Sequence, residues 1–183
     1  MKRRHPIETC PIHHVYSKSI QRFKIFTCEE EYQRMSKLIS YYQFSGQPLK
    51  FSHYIDREII KKEGFTATYL KDHSSWKKLV NIHAYCVMPT HVHFILEEKN
   101  DQGIETFVRR CFNAYTRYFN LRHNRRGPLW EHRFGNTPIE NDEHLAKALD
   151  YVLTNPVKDG LVLNPSDWKY SSFNHLHTGS GGG

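Results

Sequence analysis

Two runs of alternating side chains meet at a tight break in the middle of the chain. Val80, Ile82, Ala84, Cys86 and Met88 share one side of the first run, Pro89-Thr90 supplies a turn, and His91-Val92-His93-Phe94-Ile95-Leu96 forms the second. A period of two over such stretches requires extended backbone with one face buried, so the pair predicts a β-hairpin. Two strands alone do not hold a stable sheet in water, and the hairpin therefore needs partners from elsewhere in the chain.

A first partner strand is expected from about His14 to Ile20. Thr27, with Glu30 three residues on, can form a capping box for a helix whose apolar face is Tyr32, Met35, Ile39 and Tyr42; Ser45-Gly46-Gln47-Pro48 ends it near Phe44. Residues 49–79 mix polar and apolar side chains, are interrupted by Gly64 and receive no role. Beyond the hairpin, residues 104–122 form a helix with Ile104, Phe107, Val108, Cys111, Phe112, Tyr115, Tyr118 and Phe119 on one stripe. A strand is expected over Arg133 to Ile139. Asn141 or Asp142 then caps a last helix to Thr154, which Pro156 is expected to stop by restricting the residue before it.

The order strand, helix, strand, strand, helix, strand, helix predicts an α+β fold: a ferredoxin-like βαββαβ antiparallel sheet with an added C-terminal helix. With 183 residues, a single domain is expected over 1–178, and Gly179-Ser180-Gly181-Gly182-Gly183 reads as a flexible tail or expression scar. The four cysteines, Cys10, Cys28, Cys86 and Cys111, are scattered without a C-x-x-C pair, and the basic start is followed by no signal-peptide core. A reduced, cytoplasmic protein is expected. No apolar run reaches the roughly 18 residues of a membrane helix.

The 26 Lys and Arg against 19 Asp and Glu give a formal net charge of +7, which with 14% aromatic residues suits a polyanion and bases that can stack on rings. Candidate DNA contacts are Arg109, Arg110, Arg117, Arg122, Arg125, Arg126 and Arg133, with Trp130 or Tyr85 as stacking rings. The alternative for each is an ordinary solvated face.

Because strand side chains alternate, His91 and His93 project to the same side of the sheet while Val92 points into the opposite layer. Two imidazoles can thus converge on one ion, although two surface histidines among 13 would show the same spacing. On the last helix, Tyr151 stands apart from the stripe of Leu145, Leu149, Val152 and Leu153, on a face shared with Ala148 and Asn155. Tyr115 and Tyr118 instead fall within the apolar stripe of their helix and read as packing residues. Asn155, one turn after Tyr151, can offer an oxygen as a third ligand.

Met88-Pro89-Thr90-His91-Val92-His93, Trp130-Glu131-His132-Arg133-Phe134 and Tyr151-Val152-Leu153-Thr154-Asn155-Pro156-Val157-Lys158-Asp159-Gly160-Leu161-Val162 resemble the signature blocks of the small HUH-class tyrosine transposases. The similarity is to the IS200-like, REP-associated branch, and it spans roughly His14 to Phe173; residues 49–79 are longer than the matching link in compact relatives. The resemblance implies a metal-dependent single-stranded DNA endonuclease and strand transferase. In it Tyr151 is the nucleophile forming a 5'-phosphotyrosine, and His91 and His93 are metal ligands. Asn155 stands where relatives place a polar third ligand, often Gln. The implied cofactor is Mg or Mn and the implied partner is single-stranded, hairpin-forming DNA; the oligomeric state stays open. Free tyrosine titrates near ~10, so a cation or base must help remove its proton.

Three alternatives share these residues. A non-cleaving module could bind hairpin DNA on the same fold. A metal-dependent hydrolase could use water, with Tyr151 only positioning the phosphate. A structural zinc protein could recruit Cys10, His13 and His14 to the histidine pair, although their spacing matches no recognised zinc site.

Overall fold

In a computed structural model, which describes residues 10–131 and 133–178, the chain builds β1 (Ile12–Lys18), α1 (Glu29–Tyr42) and β2 (Phe44–Ser45). There follow α2 (Phe51–Ile55), α3 (Glu58–Glu63), α4 (Phe65–Asp72), β3 (Lys77–Lys78), β4 (Val80–Met88) and β5 (His91–Glu98). The chain then forms α5 (Gly103–Arg122), β6 (Gly135–Pro138), α6 (Asp142–Lys158) and α7 (Phe173–Thr178). The tail expected at 179–183, the first nine residues and His132 of the Trp130 block lie outside the described residues.

The main sheet runs β4-β5-β1-β6 with every neighbouring pair antiparallel, so each helical crossover skips one strand. That interleaving is the ferredoxin-like order expected from the sequence. One face, carrying Val15, Val92, Phe94 and Leu96, packs on α1 and α5 through Met35, Leu38, Ile39, Phe107, Val108 and Tyr115. The other face, carrying Ala84, Cys86, Met88 and Ile95, packs on α6 through Ala148, Val152 and Leu153. Burying Val152 and Leu153 contributes about 1.5–3 kcal/mol each, enough to dock α6 without its tyrosine.

Several local expectations are corrected. The five alternating residues of β4 do not share one side. Ile82 pairs with Leu96 but Ala84 pairs with Ile95, leaving His83 as an extra residue, and this bulge reverses the facing. Val80 therefore joins the α1/α5 core, and Ala84, Cys86 and Met88 the α6 core. At α1 the cap residue is Cys28, with no side-chain cap bond. Glu31 reaches back instead, its Oε2 accepting from the Thr27 backbone N–H at 2.7 Å and the Thr27 hydroxyl at 3.0 Å. Asn141 caps α6 as expected, its Oδ1 accepting from the His144 N–H at 2.8 Å. Pro156 does not stop that helix. Proline removes only its own N–H bond, and the last turn is closed beyond it by Asp159 N–H to the Asn155 carbonyl at 3.0 Å.

Residues 49–79 fold as α2–α4 and β3, which pairs with β2. Phe51, Tyr54 and Tyr69 meet Tyr41 and Trp76 in an aromatic cluster, and Asp72 ties the segment together by accepting from Tyr54 Oη at 3.0 Å and Arg57 at 2.5 Å. Among the described residues, no helix is long and apolar enough to cross a membrane, and Cys10, Cys28, Cys86 and Cys111 are free thiols.

Candidate active site

Docking α6 across the sheet brings Tyr151 over the face that carries His91 and His93. The three rings meet edge to face: His91 and His93 centroids are 5.0 Å apart, and His93 and Tyr151 centroids 5.6 Å. Tyr151 is 43% exposed although both its helical neighbours in the stripe are buried, so its ring is held at the rim of the site rather than in the core. The Lys158 ammonium lies 5.0 Å from the centre of the Tyr151 ring. Tyr115 and Tyr118, by contrast, pack against the main core, and Tyr115 Oη donates to the Ile25 carbonyl at 2.5 Å.

Asn155, one turn beyond Tyr151, is buried and presents its Oδ1 to His91 Nε2 at 3.3 Å. The other nitrogen of His91, Nδ1, is 3.0 Å from the Thr90 hydroxyl. Burial lowers the pKa of His91 against an opposing bond from Asn155. Burial, reinforced by His14 and His91, takes His93 down to about 2. Neutral imidazole is the form that ligates a cation, so two ring nitrogens and an amide oxygen here make a donor set that could hold a divalent ion.

The cleft around these groups has a volume of about 690 Å³ and is lined also by His14, Tyr16, Lys18, Arg22, His144 and Lys147. Of these, only His14 was named from the sequence, as a ligand in the zinc alternative; the others were not sequence candidates for this site. Their signal was the alternation of His14, Tyr16 and Lys18 along β1, which becomes informative once Tyr16 is seen opposite His93 and Lys18 opposite His91 in the sheet register. His14 Nε2 lies 2.9 Å from His93 Nδ1, and burial, followed by His144, lowers its pKa to about 4. The cations Lys18, Arg22 and Lys147 outnumber the one carboxylate in the lining, Asp159, and leave the cleft with the positive charge a phosphate backbone needs.

The arginines named from the sequence fall elsewhere. Arg109, Trp130 and Arg133 line a second cleft of about 500 Å³ beside α5, where Trp130 stacks on Phe112 at 4.2 Å. Arg110 donates to Gln47 at 3.5 Å, and Arg122 pairs with Glu30 and Glu31, each at 3.8 Å. Arg125 braces its own loop through Asn120 Oδ1 and the Pro128 carbonyl; Arg117 and Arg126 are exposed. Tyr85 is half-buried against the main core. Among the described residues no three His, Cys, Asp or Glu side chains are grouped to hold a metal. The zinc alternative thus lacks a cluster. His13 is buried with Nε2 on the Cys10 carbonyl at 2.8 Å, and Cys10 Sγ donates to the Ile139 carbonyl at 2.9 Å.

The chain is similar to known proteins. A REP-associated tyrosine transposase of Escherichia coli K12 is 31% identical over 93 residues, 50% of this chain and 53% of that protein. A candidate one from Haemophilus influenzae is 33% identical over 100 residues, 49% of this chain and 57% of that protein. The matched stretch thus spans about half the length of either relative. The structure of a REP-associated tyrosine transposase bound to a REP hairpin superposes with a TM-score of 0.61 at 22% identity, covering 96% of this chain and 83% of that one, and so shares the fold. The family model for IS200-like transposases matches residues 53–155, more than half of the chain, and the chain belongs to that family.

Proposed function

We propose that the chain is a metal-dependent single-stranded DNA endonuclease and strand transferase, acting on hairpin-forming DNA through a 5'-phosphotyrosine at Tyr151. The observation that carries this reading is the convergence of Tyr151, His91, His93 and Asn155 in one cationic cleft. His91, His93 and Asn155 would hold Mg or Mn, which when bound polarises the scissile phosphate and offsets its developing charge. Lys18, Arg22 and Lys147 would position the strand.

Tyr151 Oη attacks the phosphorus in line, the bond to the 3'-oxygen breaks, and a free 3'-OH leaves with a proton from solvent. The phenolic proton is released to solvent, and the Lys158 ammonium lies 5.0 Å from the centre of the ring that loses it. The phosphodiester becomes a phosphotyrosine ester of similar energy, so attack by a 3'-OH on the adduct rejoins DNA without a nucleotide cofactor.

The test is incubation with end-labelled hairpin DNA and Mn or Mg, analysed on a denaturing gel beside Tyr151→Phe and His91→Ala. A covalent protein–DNA band absent from both variants supports the reading. Cleavage that survives Tyr151→Phe would favour the water-using hydrolase, and binding without any adduct the non-cleaving module.

A further inference from the structure

We propose that His14 is a positioning residue that fixes the tautomer of His93: His93 carries its proton on Nδ1 and donates it to His14 Nε2, leaving its own Nε2 bare for the cation. This rests on the reading of His93 as a metal ligand.

His93 is 5% exposed, and its Nδ1 is committed to His14 Nε2 at 2.9 Å, with the rings nearly parallel at 5.1 Å between centroids. One proton sits in that bond. If it belonged to His14, the neutral His93 would carry its own proton on Nε2 and could not ligate. If it belongs to His93, Nε2 keeps its lone pair. The surroundings favour the second arrangement. The free edge of His93 opens on a cleft where Lys18, Arg22 and Lys147 outnumber one carboxylate, Asp159, and Lys18 acts directly on the ring, so a lone pair is better placed there than an N–H dipole. His14 lines the same cleft, so its remaining N–H can be satisfied by water.

The sheet register sets the two rings side by side. β1 and β5 are antiparallel neighbours, His14 opposite Ile95 and Tyr16 opposite His93, so the His14 ring sits diagonally across the ladder from the ring it orients. Orientation of a ligating histidine through its other nitrogen is a general device in metal sites. Here the acceptor is a neutral imidazole instead of a carboxylate.

Imidazole tautomers are read directly by long-range proton–nitrogen NMR on metal-free, 15N-histidine-labelled protein, with the His93 signals assigned by their loss in His93→Ala. The wild type is expected to show His93 in the Nδ1–H form, and His14→Ala to release it to a mixture. In parallel, Mn binding followed by the EPR signal of the free ion should weaken about 10–100-fold in His14→Ala. His14→Gln, whose amide oxygen can accept the same proton, should recover most of the affinity and the tautomer. Finding His93 in the Nε2–H form, or a tautomer and Mn affinity indifferent to His14→Ala, would overturn the proposal. A wild type with the Nδ1–H form but no affinity for Mn would uphold the tautomer assignment and overturn the metal reading.

Discussion

Replacing Glu31 with Gln should destabilise the chain by about 1.5–3 kcal/mol, the usual worth of hydrogen bonds to a charged group. The Glu31 side chain is fully buried. Its Oε2 accepts both Thr27 bonds at the start of α1, and its Oε1 meets His123 Nε2 at 2.6 Å at the end of α5, so one carboxylate joins the two helices that back the sheet. Glutamine keeps the shape but presents an NH2 either to His123 or to the two Thr27 donors. For a chain of this size the loss corresponds to a fall in Tm of roughly 3–12 °C, measurable by thermal or urea unfolding. The effect must depend on pH. Burial pushes the Glu31 carboxyl upward, but the bonds from His123 and Thr27 outweigh it, and the net pKa is lowered. A lowered carboxylate contributes stability that is complete above the unfolded value near ~4.3 and is lost as pH falls through the folded value. The gap between wild type and Glu31→Gln should therefore close on acidification below pH ~4.3. A gap under ~0.5 kcal/mol at neutral pH, or one that stays constant into acid, would refute the reasoning.

Gly135→Val should destabilise by about 1–3 kcal/mol and disturb the cleft, because a Cβ there would lie 2.4 Å from the Tyr16 ring; thermal unfolding and Mn affinity together would register both effects. Asn155→Leu should leave the fold intact yet weaken Mn binding at least about tenfold, by removing the oxygen that faces His91, which calorimetric titration would report. Arg109→Ala and Arg133→Ala should each weaken hairpin binding and flatten the dependence of log K on log salt by about one unit if the second cleft carries backbone contacts.

What the sequence made legible followed from periodicity. The hairpin, α5 and the isolation of Tyr151 from the stripe of Leu145, Leu149, Val152 and Leu153 are one-dimensional patterns that local geometry translates directly. The bulge at His83 has no such signature, because Val80 to Met88 alternates without a break and only the register against Leu96 and Ile95 exposes the extra residue. His14 entered only through the zinc alternative. It is one histidine among 13, and only the pairing of β1 with β5 brings it to His93. The basic residues illustrate the same limit: the arginine-rich side of α5 was plain in the sequence, yet the cleft draws its cations from β1, the turn after it and α6. Pro156 misled because a proline near the end of a helix removes a bond that the final turn can spare.

The most direct test of the account is mass spectrometry of the adduct formed with hairpin DNA and Mn, after nuclease and protease digestion. The expected product is a peptide containing Tyr151 that bears a nucleotide through its 5'-phosphate, with the released strand ending in a 3'-OH. A nucleotide on any other residue, or cut DNA with no modified peptide, would contradict it.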